Sequence, residues 1–126
     1  MKINFEFKNP YELQELRMLN PKLLLVFSAL NFWCENKKIP LVVTSAIRTE
    51  AENKTVGAKS RTHVEGRAID ISVKGWESED IERAMEFLKD EYYHWGAVSA
   101  DSGKRNLVIF HNGTAPHLHI QIARNL

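Results

Sequence analysis

The sequence is poor in cysteine, because Cys34 is the only one among 126 residues. A lone cysteine cannot form an intramolecular disulfide, so the fold does not depend on an oxidising compartment. Cys34 shares an apolar helical pattern with Leu30 and Trp33, which predicts a small buried side chain. The sequence therefore excludes a disulfide-stabilised scaffold.

A charge excess of one sign and a long hydrophobic run are also lacking. The formal net charge of +1 gives no basic surface of the kind that nucleic-acid-binding proteins carry. The apolar run from Leu23 to Phe27 is far shorter than the ~20 residues that a membrane-spanning helix needs. Charged and polar residues follow Met1 within a few positions, where a signal peptide would have its apolar region. We therefore expect synthesis in the cytoplasm, no membrane span and no nucleic-acid partner.

The length and composition are those of one small globular domain. The chain is 44% hydrophobic and 26% charged, which is typical of a globular protein with an apolar core. A chain of 126 residues is long enough for one such core but not for two. Because no repeat, linker or low-complexity tract is visible, we expect a single domain over residues 1–126, and a monomer.

Local patterns place helices early in the chain and strands late. Asn20 followed by Pro21 predicts the cap and first residue of a helix with an apolar stripe. Ser78 is the predicted cap of a later helix that reaches about Glu91. Residues 1–8 are predicted as a short strand or extended arm, and residues 11–19 as a first helix. Five strands are predicted over residues 41–48, 67–73, 95–98, 107–110 and 117–123. This order predicts an α+β fold in which N-terminal helices pack on a mostly antiparallel sheet.

A polar residue interrupts the apolar strand that follows Gly66. In this strand Ile69 and Ile71 alternate with Asp70, so the carboxylate of Asp70 is expected on the face opposite the two isoleucines. A carboxylate within an apolar strand needs a partner. His63 precedes the glycine, on a loop that must fold back over the same face, and Gly66 permits the sharp backbone path.

A second polar pattern lies near the end of the chain. His117, His119 and Gln121 alternate with apolar residues and are therefore expected on one face of a strand. Catalytic zinc takes three protein ligands from His and Asp or Glu and leaves a fourth position for water. His63, Asp70 and His119 fill those three positions, and His117 then remains free to act on substrate. The two patterns together predict a Zn²⁺ site and metal-assisted hydrolysis.

The motif residues resemble the signature of the M15 zinc peptidases. The resemblance rests on the pattern from His63 through Gly66 and Ala68 to Asp70, and on His117-x-His119. It extends to the segment Thr44–Thr49, which is similar to a Ser-Gly-Tyr-Arg-type segment of the family. The family belongs to the peptidoglycan peptidases, which include D-alanyl-D-alanine carboxypeptidases and phage L-alanyl-D-glutamate endopeptidases.

The resemblance implies a role for each matching residue. His63, Asp70 and His119 correspond to zinc ligands, and Arg48 and Ser45 correspond to substrate-binding positions, with Arg48 also able to polarise the substrate. The implied activity is zinc-dependent hydrolysis of an amide bond in peptidoglycan stem peptides, by an endopeptidase or a D,D-carboxypeptidase of lysin type. Such an enzyme would act on the cell wall, after a phage-type release if it has no signal peptide. We expect it to do so without a separate cell-wall-binding domain.

Two positions depart from the family pattern. Arg61 stands where many members have serine, and Pro116 stands where many have the acid that serves as general base. Because proline cannot take a proton, His117 is the candidate for the base or for stabilising the transition state, and Glu65 is the second choice for the base. Pro116 also favours the alternative of a zinc-stabilised, non-catalytic module that binds cell-wall peptides or a protein. A structural domain without metal is the third possibility.

Overall fold

The computed structural model describes residues 5–8, 16–58, 60–99 and 101–124. Three helices in it are α1, Pro21–Lys37; α2, Glu50–Thr55; and α3, Ser78–Tyr92. The strands are β1, Phe5–Phe7; β2, Leu41–Ser45; β3, Ala68–Ser72; β4, Ala97–Val98; β5, Arg105–Asn106; β6, Val108–His111; and β7, His117–Gln121. None of the described helices is long and apolar enough to span a membrane.

Five strands form one sheet in the order β1-β2-β3-β7-β6, and β4 and β5 form a separate hairpin. Strand β1 is parallel to β2, and every other neighbouring pair in the five-stranded sheet is antiparallel. Helices α1 and α3 contact each other and share one buried cluster with the apolar side chains of the strands. The predicted fold class, helices on a mostly antiparallel sheet, is confirmed.

Helix α1 begins where the sequence predicts. The side chain of Asn20 accepts a hydrogen bond of 2.9 Å from the backbone N–H of Lys22, and Pro21 occupies the first turn. Cys34 lies on the buried stripe of this helix, as expected, with 1% of its surface exposed. The predicted helix over Tyr11 to Leu19 falls mainly on residues outside the described ranges.

The prediction that Ser78 caps helix α3 is wrong. Glu77 occupies the cap position, Ser78 is the first helical residue, and no side chain among the described residues forms a capping hydrogen bond at this end of the helix. Glu79 and Asp80 lie in the first turn instead, where their negative charge compensates the positive end of the helix dipole. Electrostatic compensation therefore replaces the expected hydrogen bond.

A β-bulge in strand β2 decides which of its side chains reaches the polar face of the sheet. Val43 pairs with Ile71, but Ser45 pairs with Asp70, so β2 has one extra residue between these two pairs. Such a bulge reverses the alternation of side chains beyond it. Val43 and Ala46 are therefore both part of the buried core, and Ser45 lies opposite Asp70.

Candidate metal centre

Three side chains from separate parts of the sequence meet on the polar face of the sheet. His63 lies on the turn before β3, Asp70 in the middle of β3 and His119 in the middle of β7, directly opposite Asp70 in the strand register. One ligand atom from each lies within 4.8 Å of the other two. His63 and Asp70 are only 3% and 6% exposed. The structure therefore brings the three predicted ligands together.

Gly66 closes the turn that carries His63. Its φ angle of +69° lies in the left-handed region, which glycine adopts without strain. A Cβ atom at this position would lie 3.0 Å from the backbone oxygen of Met18, so a larger residue would also be crowded. The backbone oxygen of His63 accepts hydrogen bonds from the N–H groups of Arg48 and Gly66, both at 3.3 Å. These contacts hold the turn against the end of β2.

The hydrogen bond of His63 to the backbone fixes which of its nitrogens carries the proton. Nδ1 lies 2.6 Å from the backbone oxygen of Ala46, which can only accept, so Nδ1 is the donor. In a neutral imidazole Nε2 then has a free lone pair. This buried Nε2 has no hydrogen-bond partner among the described residues, although Oδ2 of Asp70 lies 3.2 Å away.

His119 has acceptor oxygens next to both of its ring nitrogens. Nδ1 lies 2.8 Å from Oδ1 of Asp70, and Nε2 lies 3.0 Å from Oε1 of Gln121. The amide nitrogen of Gln121 donates to the backbone oxygen of Asn106 at 3.1 Å, and this contact orients the amide so that its oxygen faces His119. Nε2 therefore donates to Gln121, and in a neutral ring Nδ1 has the lone pair and faces a carboxylate.

These contacts fit a bound cation. A neutral imidazole pointing a lone pair at a carboxylate is unfavourable, and so is a buried nitrogen without a partner. A metal ion bound by Nδ1 of His119, a carboxylate oxygen of Asp70 and Nε2 of His63 would remove both defects. The backbone of Ala46 and the amide of Gln121 would then be the outer partners that orient each histidine. The donor set of two imidazoles and one carboxylate is one that zinc uses in catalytic sites.

Asp70 is held in its charged form. Burial alone would raise its pKa, but the close imidazoles of His119 and His63 outweigh burial and lower the pKa well below its ordinary value. Nη2 of Arg48 also lies 3.3 Å from Oδ2 of Asp70. Asp70 is therefore a carboxylate at neutral pH, as a metal ligand must be.

Arg48 is fixed at the edge of the cluster by three side chains. Its Nε donates to Oγ of Ser45 at 3.2 Å, its Nη1 to Oδ1 of Asn53 at 3.5 Å and its Nη2 to Asp70. The side chain is 19% exposed, so it is neither a free surface charge nor fully enclosed. Asn53 is itself buried and donates to the backbone oxygen of Ser60 at 3.0 Å. Ser45 and Asn53 together therefore hold the guanidinium beside Asp70.

A cleft of about 350 Å³ lies over the cluster, within the usual range for ligand sites. Its lining includes the three candidate ligands and Arg48, together with His111 and His117. Nδ1 of His117 donates to the backbone oxygen of Ala115 at 3.0 Å, so Nε2 has the free lone pair in the neutral ring. His111 stacks on His117 with ring centroids 4.9 Å apart.

The structure adds three residues to those that the sequence singles out for the site. His111 is exposed and ends strand β6 opposite His117. Gln121 was expected on the face of the histidines, and its alternation with them was the only local signal of its contact. Asn53 lies in a charged helical segment, where nothing in the sequence marks it as buried.

Glu65 does not line the cleft. Its carboxylate binds Arg67 and Arg124, each at 2.8 Å. The hydrogen bond from Arg124 is the main cause that lowers its pKa. A carboxylate held by two arginines is a poor proton acceptor, so the geometry favours His117 over Glu65 as a base.

Comparison with known families places the chain within one of them. A family model described as Peptidase M15 matches residues 10–103, which include Arg48, His63 and Asp70. His117 and His119 lie beyond the matched range. Comparisons with curated proteins and with solved structures gave no match. Because the matched range covers well over half of its residues, the chain belongs to the peptidase M15 family.

Proposed function

We propose that this protein is a zinc-dependent peptidase that hydrolyses an amide bond in peptidoglycan stem peptides, as an endopeptidase or a D,D-carboxypeptidase. Membership of the peptidase M15 family supports a metallopeptidase. One observation carries the proposal further. A cluster of the buried His63 and Asp70 with the partly buried His119, whose ligand atoms lie within 4.8 Å of one another, forms part of the lining of an open cleft.

In this proposal His63, Asp70 and His119 hold the zinc ion. Bound zinc supplies Lewis acidity, which polarises the scissile carbonyl and activates water at neutral pH. The buried surroundings strengthen every charge interaction in the cluster. The outer hydrogen bonds of Ala46 and Gln121 keep both imidazoles in orientation, so little reorganisation accompanies the reaction.

His117 is the proposed general base. Its Nε2 is free to accept a proton because Nδ1 donates to Ala115, and the ring lines the same cleft as the cluster. Histidine is the side chain that most often serves as a positioned general base. Pro116 takes no part in proton transfer, and its backbone oxygen accepts a hydrogen bond of 3.0 Å from Val73.

Arg48 and Ser45 are the proposed substrate-binding residues. Arg48 lines the cleft next to Asp70, so its guanidinium can stabilise a developing oxyanion or bind a substrate carboxylate. The hydroxyl of Ser45 accepts from Nε of Arg48 and holds that side chain in place. We further propose that the protein acts as a monomer on the cell wall.

The alternative is a zinc-stabilised module that binds a cell-wall peptide or a protein without cleaving it. Pro116 favours this alternative because the position that holds an acid in many family members has no proton acceptor here. The two proposals share the metal cluster and differ only in turnover. Zinc content alone therefore does not distinguish them, whereas release of fragments does.

The deciding experiment is mass analysis of the fragments that the zinc-loaded protein releases from purified peptidoglycan. We expect defined stem-peptide fragments, none after zinc is chelated, and a rate lower by roughly 10²-fold or more in His117→Ala, since a positioned base contributes about that much. The variant should still bind one zinc ion. Zinc binding without any fragments from the wild type would establish the binding module. Full activity in His117→Ala would remove this residue as the base.

A further inference from the structure

A second cavity adjoins the cleft over the metal cluster. It has a volume of about 880 Å³ and shares Ser60, Thr62, Ile109 and Gln121 with the lining of the cleft. Its far wall is formed by strands β4 and β5, together with Ser99, Asp101 and Ser102 between them. We call the part of the cavity beyond Gln121 the side groove. The cleft and the side groove therefore meet at Gln121.

Three arginines line the side groove, and their charges are balanced differently. Arg67 and Arg124 each lie 2.8 Å from the carboxylate of Glu65, so one acid serves both. Arg105 makes no ion pair with any carboxylate of the described residues, and this includes Asp101 in the same groove. The side groove therefore has one arginine whose charge is not matched by an acid of the described chain.

The guanidinium of Arg105 is held rigidly by the backbone. Its Nη1 donates to the backbone oxygens of Gly96 at 2.8 Å and of His94 at 3.1 Å. These two bonds use both hydrogens of Nη1 and leave the donors on Nε and Nη2 without a partner among the described residues. A guanidinium presents such donors in a planar fork that matches the two oxygens of a carboxylate. Because the fork is already oriented, binding costs little conformational entropy.

The position of Arg105 is coupled to the metal cluster through Gln121. Asn106 follows Arg105 in β5, and its backbone oxygen accepts the hydrogen bond from Gln121, whose other amide atom contacts His119. The wall between cleft and side groove is thus a hydrogen-bonded connection between β5 and β7. A ligand that spans both cavities would meet groups in a fixed relative orientation.

We propose that the side groove is a carboxylate-binding subsite, in which Arg105 binds an acidic group of the peptide substrate beyond the cleaved bond. The inference rests on the proposed peptidase function and adds to it a preference for acidic peptides. Two carboxylates of a stem peptide could occupy the subsite, one on a side chain and one at the chain terminus. The chemistry of recognition is the same for both.

The test compares a synthetic stem peptide with two amidated counterparts, one amidated at the side-chain carboxyl and one at the chain terminus. Loss of a charge-assisted hydrogen bond is worth about 1.5–3 kcal/mol, so amidation of the bound carboxyl should lower catalytic efficiency by about 10- to 100-fold in the wild type. The counterpart that shows this loss identifies the group. Equal efficiencies for all three peptides would overturn the proposal.

Arg105→Gln should reduce the preference for the acidic peptide to about one, mainly through KM. Arg124→Gln is the matched control, because Arg124 lines the same groove but is paired with Glu65, and it should keep the preference. Arg105→Lys retains the charge without the planar fork and should keep only part of the preference. Should Arg105→Gln fail to fold, which a melting curve shows, Arg105→Lys decides: an unchanged preference in it overturns the proposal.

Binding separates failure of this proposal from failure of the proposed reaction. The affinities of the acidic and amidated peptides can be measured for zinc-loaded His117→Ala, in which turnover is slower by roughly 10²-fold, and also for the wild type if it releases no fragments. A preference for the acidic peptide that requires Arg105, in a protein without hydrolysis, would retain the subsite and reject the peptidase. Hydrolysis without any such preference would retain the peptidase and reject the subsite.

Discussion

The two faces of the central sheet are built from alternate residues of the same strands, yet one face is apolar and the other is polar. On one face Ile69, Ile71, Leu118 and Ile120 are fully buried in the apolar core. On the other face Asp70 and His119 face each other across the same two strands at 2.8 Å. Adjacent residues of β3 thus have nearly equal burial and very different chemistry.

The comparison shows that burial has a different cause on each face. Apolar side chains gain free energy by leaving water, about 25 cal/mol for each Å². The polar residues lose hydration, and each needs a specific partner to compensate. The core face can therefore tolerate a substitution of similar shape, whereas the polar face depends on each individual contact.

The largest expected effect comes from Asp70→Asn compared with Ile71→Val, its neighbour on the opposite face. The amide has nearly the shape of the carboxylate but lacks its charge. Removing a residue that only hydrogen-bonds to a ligand weakens metal binding by about 10- to 100-fold, so loss of a ligand should lower zinc affinity by more than about 10²-fold. Ile71→Val should cost only about 1 kcal/mol of stability and keep one zinc ion per molecule. Zinc titration against a competing chelator and urea unfolding measure the two quantities. Normal zinc affinity in Asp70→Asn would show that Asp70 is not a zinc ligand.

Arg48→Ala tests whether a charged residue of the polar face serves the substrate or the fold. Loss of a charge-assisted partner should lower catalytic efficiency by roughly 2–4 kcal/mol in transition-state binding. Because Arg48 also contacts the buried Asp70, its removal should lower the free energy of unfolding by about 1.5–3 kcal/mol. Efficiency per folded molecule, compared with urea unfolding, separates the roles. Unchanged efficiency with lower stability would make Arg48 a structural residue.

Gln121 offers a more conservative pair of variants on the same face. Gln121→Leu removes the acceptor that faces Nε2 of His119 and should weaken zinc binding by about 10- to 100-fold. Gln121→Glu retains an acceptor oxygen and should bind zinc more tightly than Gln121→Leu. Competition with a chelator measures both affinities without any assay of activity. Equal affinities in the two variants would show that the hydrogen bond does not orient the ligand.

The smallest expected effect is a loss of stability at high pH caused by the buried thiol of Cys34. This effect is absent at neutral pH. Burial is the main cause that raises the pKa of this thiol to about 12. The folded state therefore disfavours the thiolate. The contribution of the neutral thiol to the free energy of unfolding is complete below its ordinary pKa of 9.0 and is lost as pH rises toward 12. From pH 7 to pH 10 the wild type should lose about 1–2 kcal/mol more than Cys34→Ala in urea unfolding. Parallel losses in both proteins would contradict the prediction.

The local periodicity of the sequence was sufficient to predict much of the polar face of the sheet. A strand alternates its side chains with a period of two, so the sequence alone assigned Asp70 to one face and Ile69 and Ile71 to the other. The same rule grouped His117, His119 and Gln121. The cap of α1 was also predictable, because Asn20 and Pro21 act on backbone atoms within two residues of themselves.

Only the tertiary structure decided which of these side chains meet and what surrounds them. The bulge that places Ser45 opposite Asp70 depends on pairing between distant strands, and the burial of Asn53 depends on the docking of α2 beside Arg48. The side groove exists because the β4–β5 hairpin lies beside β7, a contact that no local pattern specifies. Sequence fixes short-range geometry through backbone stereochemistry, whereas register, docking and cavities follow from the packing of segments far apart in the chain.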